Sequence, residues 1–191
     1  MNVFIACETS GEVRRAFEAK GHTVISCDIL PADDGAANHR QCDVLSILDD
    51  MERWADLMIC FPPCTHLAVS GARWFPAKRA DGRQQAAEAF ARRLFESKIP
   101  RIALENPVSI LSRPENLGKP TQTFQPWMFG HGEVKRTCLW LKGLPPLKPT
   151  NIVEGREARV WKLPPTADRW KLRSKTFSGV AEAMADQWGT K

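Results

Sequence analysis

Asp56-Leu57-Met58-Ile59-Cys60-Phe61-Pro62-Pro63-Cys64-Thr65-His66-Leu67-Ala68-Val69-Ser70-Gly71 is the stretch on which the fold turns. Leu57 to Phe61 is a short apolar run without alternation, the pattern of a strand buried on both faces. Two prolines end it. Each lacks an N–H and fixes its own φ, and Pro63 holds Pro62 extended. Cys64 is therefore carried on a stiff turn just past a strand end, which in an open parallel sheet is where ligands and catalytic groups gather. A thiol held there acts as a nucleophile once it becomes a thiolate.

Further along, Arg101-Ile102-Ala103-Leu104 repeats the design and runs into Glu105-Asn106-Pro107. A carboxyl and an amide at a strand end against a proline suit chemistry better than core packing. Nearer the N-terminus, Val3 to Ala6 reads as the first strand. The polar turn Cys7-Glu8-Thr9-Ser10-Gly11-Glu12 follows, with Ser10 or Thr9 placed to cap a helix. Val13, Ala16 and Phe17 recur at helical spacing, Lys20-Gly21 closes the helix, and Thr23 to Cys27 is a second strand ending in Asp28. This βαβ order, with an acid able to hold a ribose diol, is a nucleotide-binding pattern, although Gly11 is the one glycine in the turn. The alternation predicts an α/β fold: a Rossmann-like, mostly parallel sheet with helices on both faces.

Length and composition agree. The chain has 191 residues, 43% of them hydrophobic, with seven Trp, nine Phe and no Tyr, enough for one core. No apolar run is long enough to span a membrane, and Met1 to Ala6 lacks the basic start of a secretory signal. The six cysteines, Cys7, Cys27, Cys42, Cys60, Cys64 and Cys138, form no Cys-x-x-Cys pair, so no metal site is expected and a reducing, cytoplasmic setting fits. A net charge of +5 permits an anionic partner.

Pro62-Pro63-Cys64 with Ser70-Gly71 behind it, followed in order by Glu105-Asn106, resembles the cytosine carbon-5 DNA methyltransferase family. The resemblance runs from Val3 to about Ala185 in the family's order and implies the class I S-adenosylmethionine-dependent methyltransferase fold. It assigns Cys64 as nucleophile toward carbon 6 of cytosine and Glu105 as the proton donor to ring nitrogen 3. Asn106, Lys135 and Arg136 stand with them as catalytic residues. Glu8, Thr9, Ser10 and Gly11 lie beside the methionine part of the cofactor, Asp28 meets the ribose and Asp43 the adenine amine. Pro62 and Ser178 also border the cofactor. Glu133 falls where the family has a glutamine, and the closing segment Ser178 to Ala185 lacks the family's asparagine. His66, two residues from Cys64, is a further base or a pocket-lining residue.

Other stretches read as follows. Arg73, Trp74, Phe75, Lys78, Arg79 and Arg83 form a basic loop able to track a phosphate backbone, or an ordinary loop with its aromatics in the core. Asp81 caps a helix from about Gly82 to Ser97 with Ala86, Phe90 and Leu94 on its apolar face. Ser109 to Gln125 reads as loop, and Cys138 to Leu141 as strand. Residues 1–143 form the cofactor-binding core, 144–175 a small basic flap, and 176–191 the closing helix of the core. Family members acting on duplex DNA carry a large recognition region, and here the interval from Leu141 to Thr176 is all there is. The partners expected are DNA, duplex or single-stranded, or a nucleotide, with a second subunit as one way to complete the site. Two alternatives are the same chemistry on RNA or a free pyrimidine nucleotide, and a nucleic-acid-binding module without turnover.

Overall fold

The computed structural model describes residues 1–166 and 169–190. Five apolar runs and two short polar segments form seven strands of one sheet: β1 (Asn2–Ala6), β2 (Thr23–Asp28), β3 (His39–Gln41), β4 (Leu57–Cys60), β5 (Arg101–Pro107), β6 (Gln122–Phe124) and β7 (Thr137–Lys142), with β3 and β6 the polar ones. The spatial order is β3-β2-β1-β4-β5-β7-β6. Neighbours from β3 to β5 are parallel, and β7 runs antiparallel to both β5 and β6. β1 and β4 are fully buried along nearly their whole length, as a run without alternation requires.

Helices cover both faces. On one, Val44 and Leu48 of α2 (Val44–Trp54), with α3 (Phe75–Ala80) beyond it and Ala91 and Leu94 of α4 (Arg83–Phe95), pack on Phe4, Met58, Cys60, Ile102 and Leu104. On the other, Val13 and Phe17 of α1 (Glu12–Ala19) join Val180, Met184 and Trp188 of the C-terminal helix over Val3, Ile5, Ile59 and Ala103. The expected α/β architecture is thus the one observed. Two short helices, α5 (Arg159–Lys162) and α6 (Arg169–Ser174), precede the C-terminal helix α7 (Ser178–Trp188).

Several local expectations are corrected. Gly11, at φ 67°, stands at the start of α1; Ser10 Oγ accepts from the Glu12 amide at 3.4 Å, and Oε1 of Glu8 accepts from the Val13 amide at 2.9 Å. A Cβ on Gly11 would come within 2.9 Å of Arg14, Arg15 and Asp34 side chains, so the turn admits glycine alone. In α4 the buried residues are Gln84, Ala91 and Leu94, while Ala86 is exposed and Phe90 is partly buried. Gly82 precedes that helix, and Asp81 still accepts from the Arg83 amide at 3.1 Å. Within Ser109 to Gln125 the chain adds β6, a three-residue edge strand too short to carry a period. Among the described residues no helix is long and apolar enough to cross a membrane.

Candidate active site

Parallel register brings the two proline-ended strands together. Cys60 pairs with Leu104, so the chain beyond each strand emerges side by side. Nδ2 of Asn106 donates to the Pro62 carbonyl at 2.9 Å, fastening the end of β5 to the Pro-Pro turn. Asn106 is 1% exposed, so this bond is made away from water. Beyond the prolines the Cys64 carbonyl accepts from the Leu67 and Ala68 amides at 3.0 and 2.9 Å, closing a tight turn. Lys78 and Gln84 brace it: Nζ of Lys78 donates to the Thr65 carbonyl at 2.5 Å, and Nε2 of Gln84 to that of His66 at 3.1 Å. Sequence reading placed Lys78 on a phosphate-tracking loop. The structure buries it as a strut, and the basic loop is a 3₁₀ turn (Val69–Trp74) leading into α3. The two aromatics divide, Phe75 entering the core and Trp74 standing 55% exposed.

Glu105 and Lys135 line one cleft, narrow at about 10 Å³, with Phe61, Phe124, Thr137 and Phe177, and Cys64 lies outside that lining. Burial pushes the Glu105 carboxyl above the usual carboxylate range, and the Lys135 ammonium opposes that shift. Cys64 is exposed, with its sulfur shielded enough that desolvation raises the thiol above its ordinary value. The Glu105 carboxylate raises it further, while Lys135 and Arg173 act in the opposite sense. Cys64, Glu105 and Lys135 are therefore within electrostatic reach of one another. Arg136 is exposed and acts instead on the Cys138 thiol, which it lowers against the effect of burial. The arginine whose charge acts on Cys64 is not Arg136 but Arg173, from α6. Its place in an unpatterned basic segment carried no signal of that. Nδ1 of His66 is buried without a hydrogen-bond partner.

The second row of residues follows the sheet across β3, β2, β1 and β4. The Cys7 and Glu8 amides both donate to the Cys27 carbonyl, at 2.7 and 3.3 Å, and Cys7 reaches this geometry at φ 61°. It is the one non-glycine residue at positive φ among the described residues, a strained turn that sequence reading missed. Glu8, 6% exposed, accepts from Val13 and from Ser10 Oγ through Oε1 and leaves Oε2 buried with no partner. Burial raises its carboxyl. The Thr9 carbonyl accepts from Asp33 at 2.9 Å. Asp28 ends β2 half-buried, its Oδ1 accepting from the Leu30 amide at 2.9 Å, with burial again pushing the carboxyl up. Asp43 stands at the start of α2 and accepts from the Leu45 amide at 2.9 Å. Ser178 opens α7 and lines a second cleft of about 230 Å³ with Glu12, Val160, Leu172, Lys175 and Phe177. Gly179, beside it, lies so near the Phe129 carbonyl that a Cβ would stand 2.0 Å from that oxygen.

Glu133 is 2% exposed and holds the flap. Its carboxylate accepts from the Val160 amide at 3.1 Å and from Nε of Arg159 at 3.3 Å. The far end of the flap is tied to the first turns of the core by Lys171–Asp33 at 2.7 Å and Lys175–Glu12 at 2.9 Å.

No protein-family profile matches this chain, and no curated protein sequence does. Solved structures do. A protein assigned as a DNA modification methyltransferase encoded within a prophage of E. coli superposes with a TM-score of 0.56 at 17% identity, over 87% of this chain and 56% of its own. The Entamoeba histolytica methyltransferase EhMeth superposes with a TM-score of 0.54 at 17% identity, over 83% of this chain and 57% of its own. At that identity the likeness establishes a shared fold, and this chain spans little more than half the length of either neighbour.

Proposed function

We propose that this protein is an S-adenosylmethionine-dependent methyltransferase that modifies carbon 5 of cytosine in DNA through a covalent Cys64 adduct. The observation that carries the reading is the Asn106–Pro62 bond, which fastens the end of the Glu105 strand to the turn that carries Cys64, with Glu105 itself lining a cleft. Methyltransferase neighbours of the same fold support methyl transfer as the reaction class.

The cofactor fits the residues along the strand ends. It carries an ammonium, a diol and an aromatic amine. The chain offers three carboxylates across β1, β2 and the start of α2: Glu8 with an unpartnered buried oxygen, then Asp28, then Asp43. Glu8, Thr9, Ser10 and Gly11 would hold the methionine end, Asp28 the ribose and Asp43 the adenine, with Pro62 and Ser178 closing the sides. When bound, S-adenosylmethionine supplies an electrophilic methyl group.

Cys64 as thiolate adds to carbon 6 of the cytosine ring. Glu105, its carboxyl held toward the neutral form, gives a hydrogen bond or proton to nitrogen 3 and neutralises the charge that addition pushes onto the ring. Carbon 5 thereby becomes nucleophilic. After methylation, loss of the carbon 5 proton to a base and β-elimination from carbon 6 restore the aromatic ring and release the Cys64 thiolate. Lys135 lowers the cost of carrying charge at Cys64. A proton donor so placed contributes roughly 10²–10⁴ in rate. The target base must leave any stack to reach the thiol, and the segment 144–175 acts as the flap beside it.

Two measurements test this reading. Labelled methyl groups should pass from the cofactor to cytosine-containing DNA with the wild-type protein and not with Cys64→Ser. A 5-fluorocytosine oligonucleotide should trap a covalent adduct at Cys64, because fluorine at carbon 5 blocks the elimination. Wild-type turnover in Cys64→Ser would exclude covalent catalysis. Label accepted by RNA or free nucleotides and refused by DNA would move the substrate to those classes.

A further inference from the structure

The chain's positive charge is not spread over its surface. Residues 153–175 hold seven Lys or Arg against three Asp or Glu, and residues 73–83 hold four against one. The rest of the chain has sixteen against eighteen, so the whole positive excess lies in two segments. The first is the flap, whose Arg173 charge reaches Cys64. The second follows Cys64 in the chain.

The exposed tryptophans fall in the same two segments. Three of the seven are more than half exposed: Trp74 at 55%, Trp161 at 67% and Trp170 at 57%. Tryptophan is highly buried on average, so three such rings in water within the two basic segments call for a partner. Trp170 and Arg173 stand three residues apart on α6 and so share a face of that helix. The Arg73 guanidinium lies over the Trp74 ring, 5.0 Å from its centroid. Ion pairs to Glu133, Asp33 and Glu12 hold the flap against the core, so its rings ride on a tethered element.

Flat aromatic faces among cations match one polymer chemistry, a strand whose phosphates meet the cations while unpaired bases stack on the rings. A duplex presents phosphates and base edges, with its ring faces already stacked on one another. We propose that the site takes single-stranded DNA, its bases stacked on Trp74, Trp161 and Trp170 and its phosphates met by the cations of the two basic segments. This rests on the reading of the site as a DNA cytosine methyltransferase and names the form of DNA it accepts.

The test is binding without cofactor, so that no turnover is needed. Fluorescence anisotropy would compare labelled single-stranded DNA, the same sequence as duplex, and the same sequence as RNA. Single-stranded DNA should bind at least about tenfold more tightly than either. Trp74→Ala and the pair Trp161→Ala/Trp170→Ala should each weaken it by about fivefold or more. Their melting temperatures and their affinity for S-adenosylhomocysteine should stay at wild-type values, since the rings are exposed. Equal or tighter binding of duplex or RNA would overturn the proposal. So would tryptophan variants that bind like wild type, or capture by anionic lipid vesicles with no binding of oligonucleotides. If strands bind through the tryptophans and no DNA accepts a methyl group, the surface stands and the methylation reading falls. If duplex is methylated and the tryptophan variants do not matter, only the present inference falls.

Discussion

Asn106 and Pro62, forty-four residues apart, are joined by a 2.9 Å hydrogen bond from the amide Nδ2 to the proline carbonyl. Pro62 lies two residues before Cys64 and Asn106 one residue after Glu105, so this single buried bond sets the distance between the proposed nucleophile and the proposed acid. Asn106→Asp keeps the shape and removes the donor, leaving a carboxylate against a carbonyl oxygen. The expected loss is roughly 1–3 kcal/mol, read as a lower urea midpoint. Methyl transfer should fall further than affinity for S-adenosylhomocysteine, because the carboxylates proposed to hold the cofactor, Glu8, Asp28 and Asp43, lie away from this bond.

Glu105 gives a signed pH dependence. Its folded carboxyl is raised, so the folded state keeps its proton after the unfolded chain has lost its own. Stability from this group is therefore present at acid pH and declines as pH rises from the ordinary carboxylate value through the raised one. Glu105→Gln should be at least as stable as wild type at pH 7, and the advantage should vanish below about pH 4. Calorimetry at both pH values checks it.

The same substitution should change the pH–rate profile. With a protonated acid and a thiolate both required, wild-type kcat/KM is flat between the raised Glu105 value and the raised Cys64 value. One requirement is met as the other is lost. Removing the acid leaves the thiolate requirement alone. Glu105→Gln should be slower by roughly 10²–10⁴ and should gain close to tenfold per pH unit across that window.

Asp43 serves the fold through its bond to the Leu45 amide, and the proposal gives it a second task at the adenine. Asp43→Ser keeps a helix-capping oxygen and loses the charge. Asp43→Ala loses both and should cost about 1 kcal/mol of stability. If the proposal holds, both variants bind S-adenosylhomocysteine more weakly and only the alanine variant melts earlier. Unchanged affinity in the serine variant would reduce Asp43 to a cap.

Thiol chemistry should single out Cys64. It is exposed, whereas Cys27, Cys60 and Cys138 are buried and Cys7 is partly so. Burial pushes the Cys27 thiol up to about 12, with the neighbouring Cys42 sulfur 3.7 Å away adding to the shift. Alkylation of the native protein followed by peptide mapping should find Cys64 modified first, at a rate that climbs with pH beyond neutrality. Cys27 and Cys60 should react only on unfolding.

The sequence by itself determined the frame. Apolar runs without alternation specified buried strands, the intervening 3.6-residue periodicity specified α1 and α4, and the prolines and acids at strand ends marked which end of the sheet carries polar groups. These are local signals, written within a few residues of what they decide. Tertiary structure alone decided the rest. Strand order set Cys64 beside Glu105, and chain reversal at β7 put Lys135 there and turned Arg136 outward. Packing of α3 turned Lys78 from a surface cation into a strut, and the fold of the flap sent Arg173 to the thiol and Glu133 to the flap's root. Each of these depends on a partner far away in the chain, and the type of a charged residue states its charge without stating which opposite charge or carbonyl it will meet.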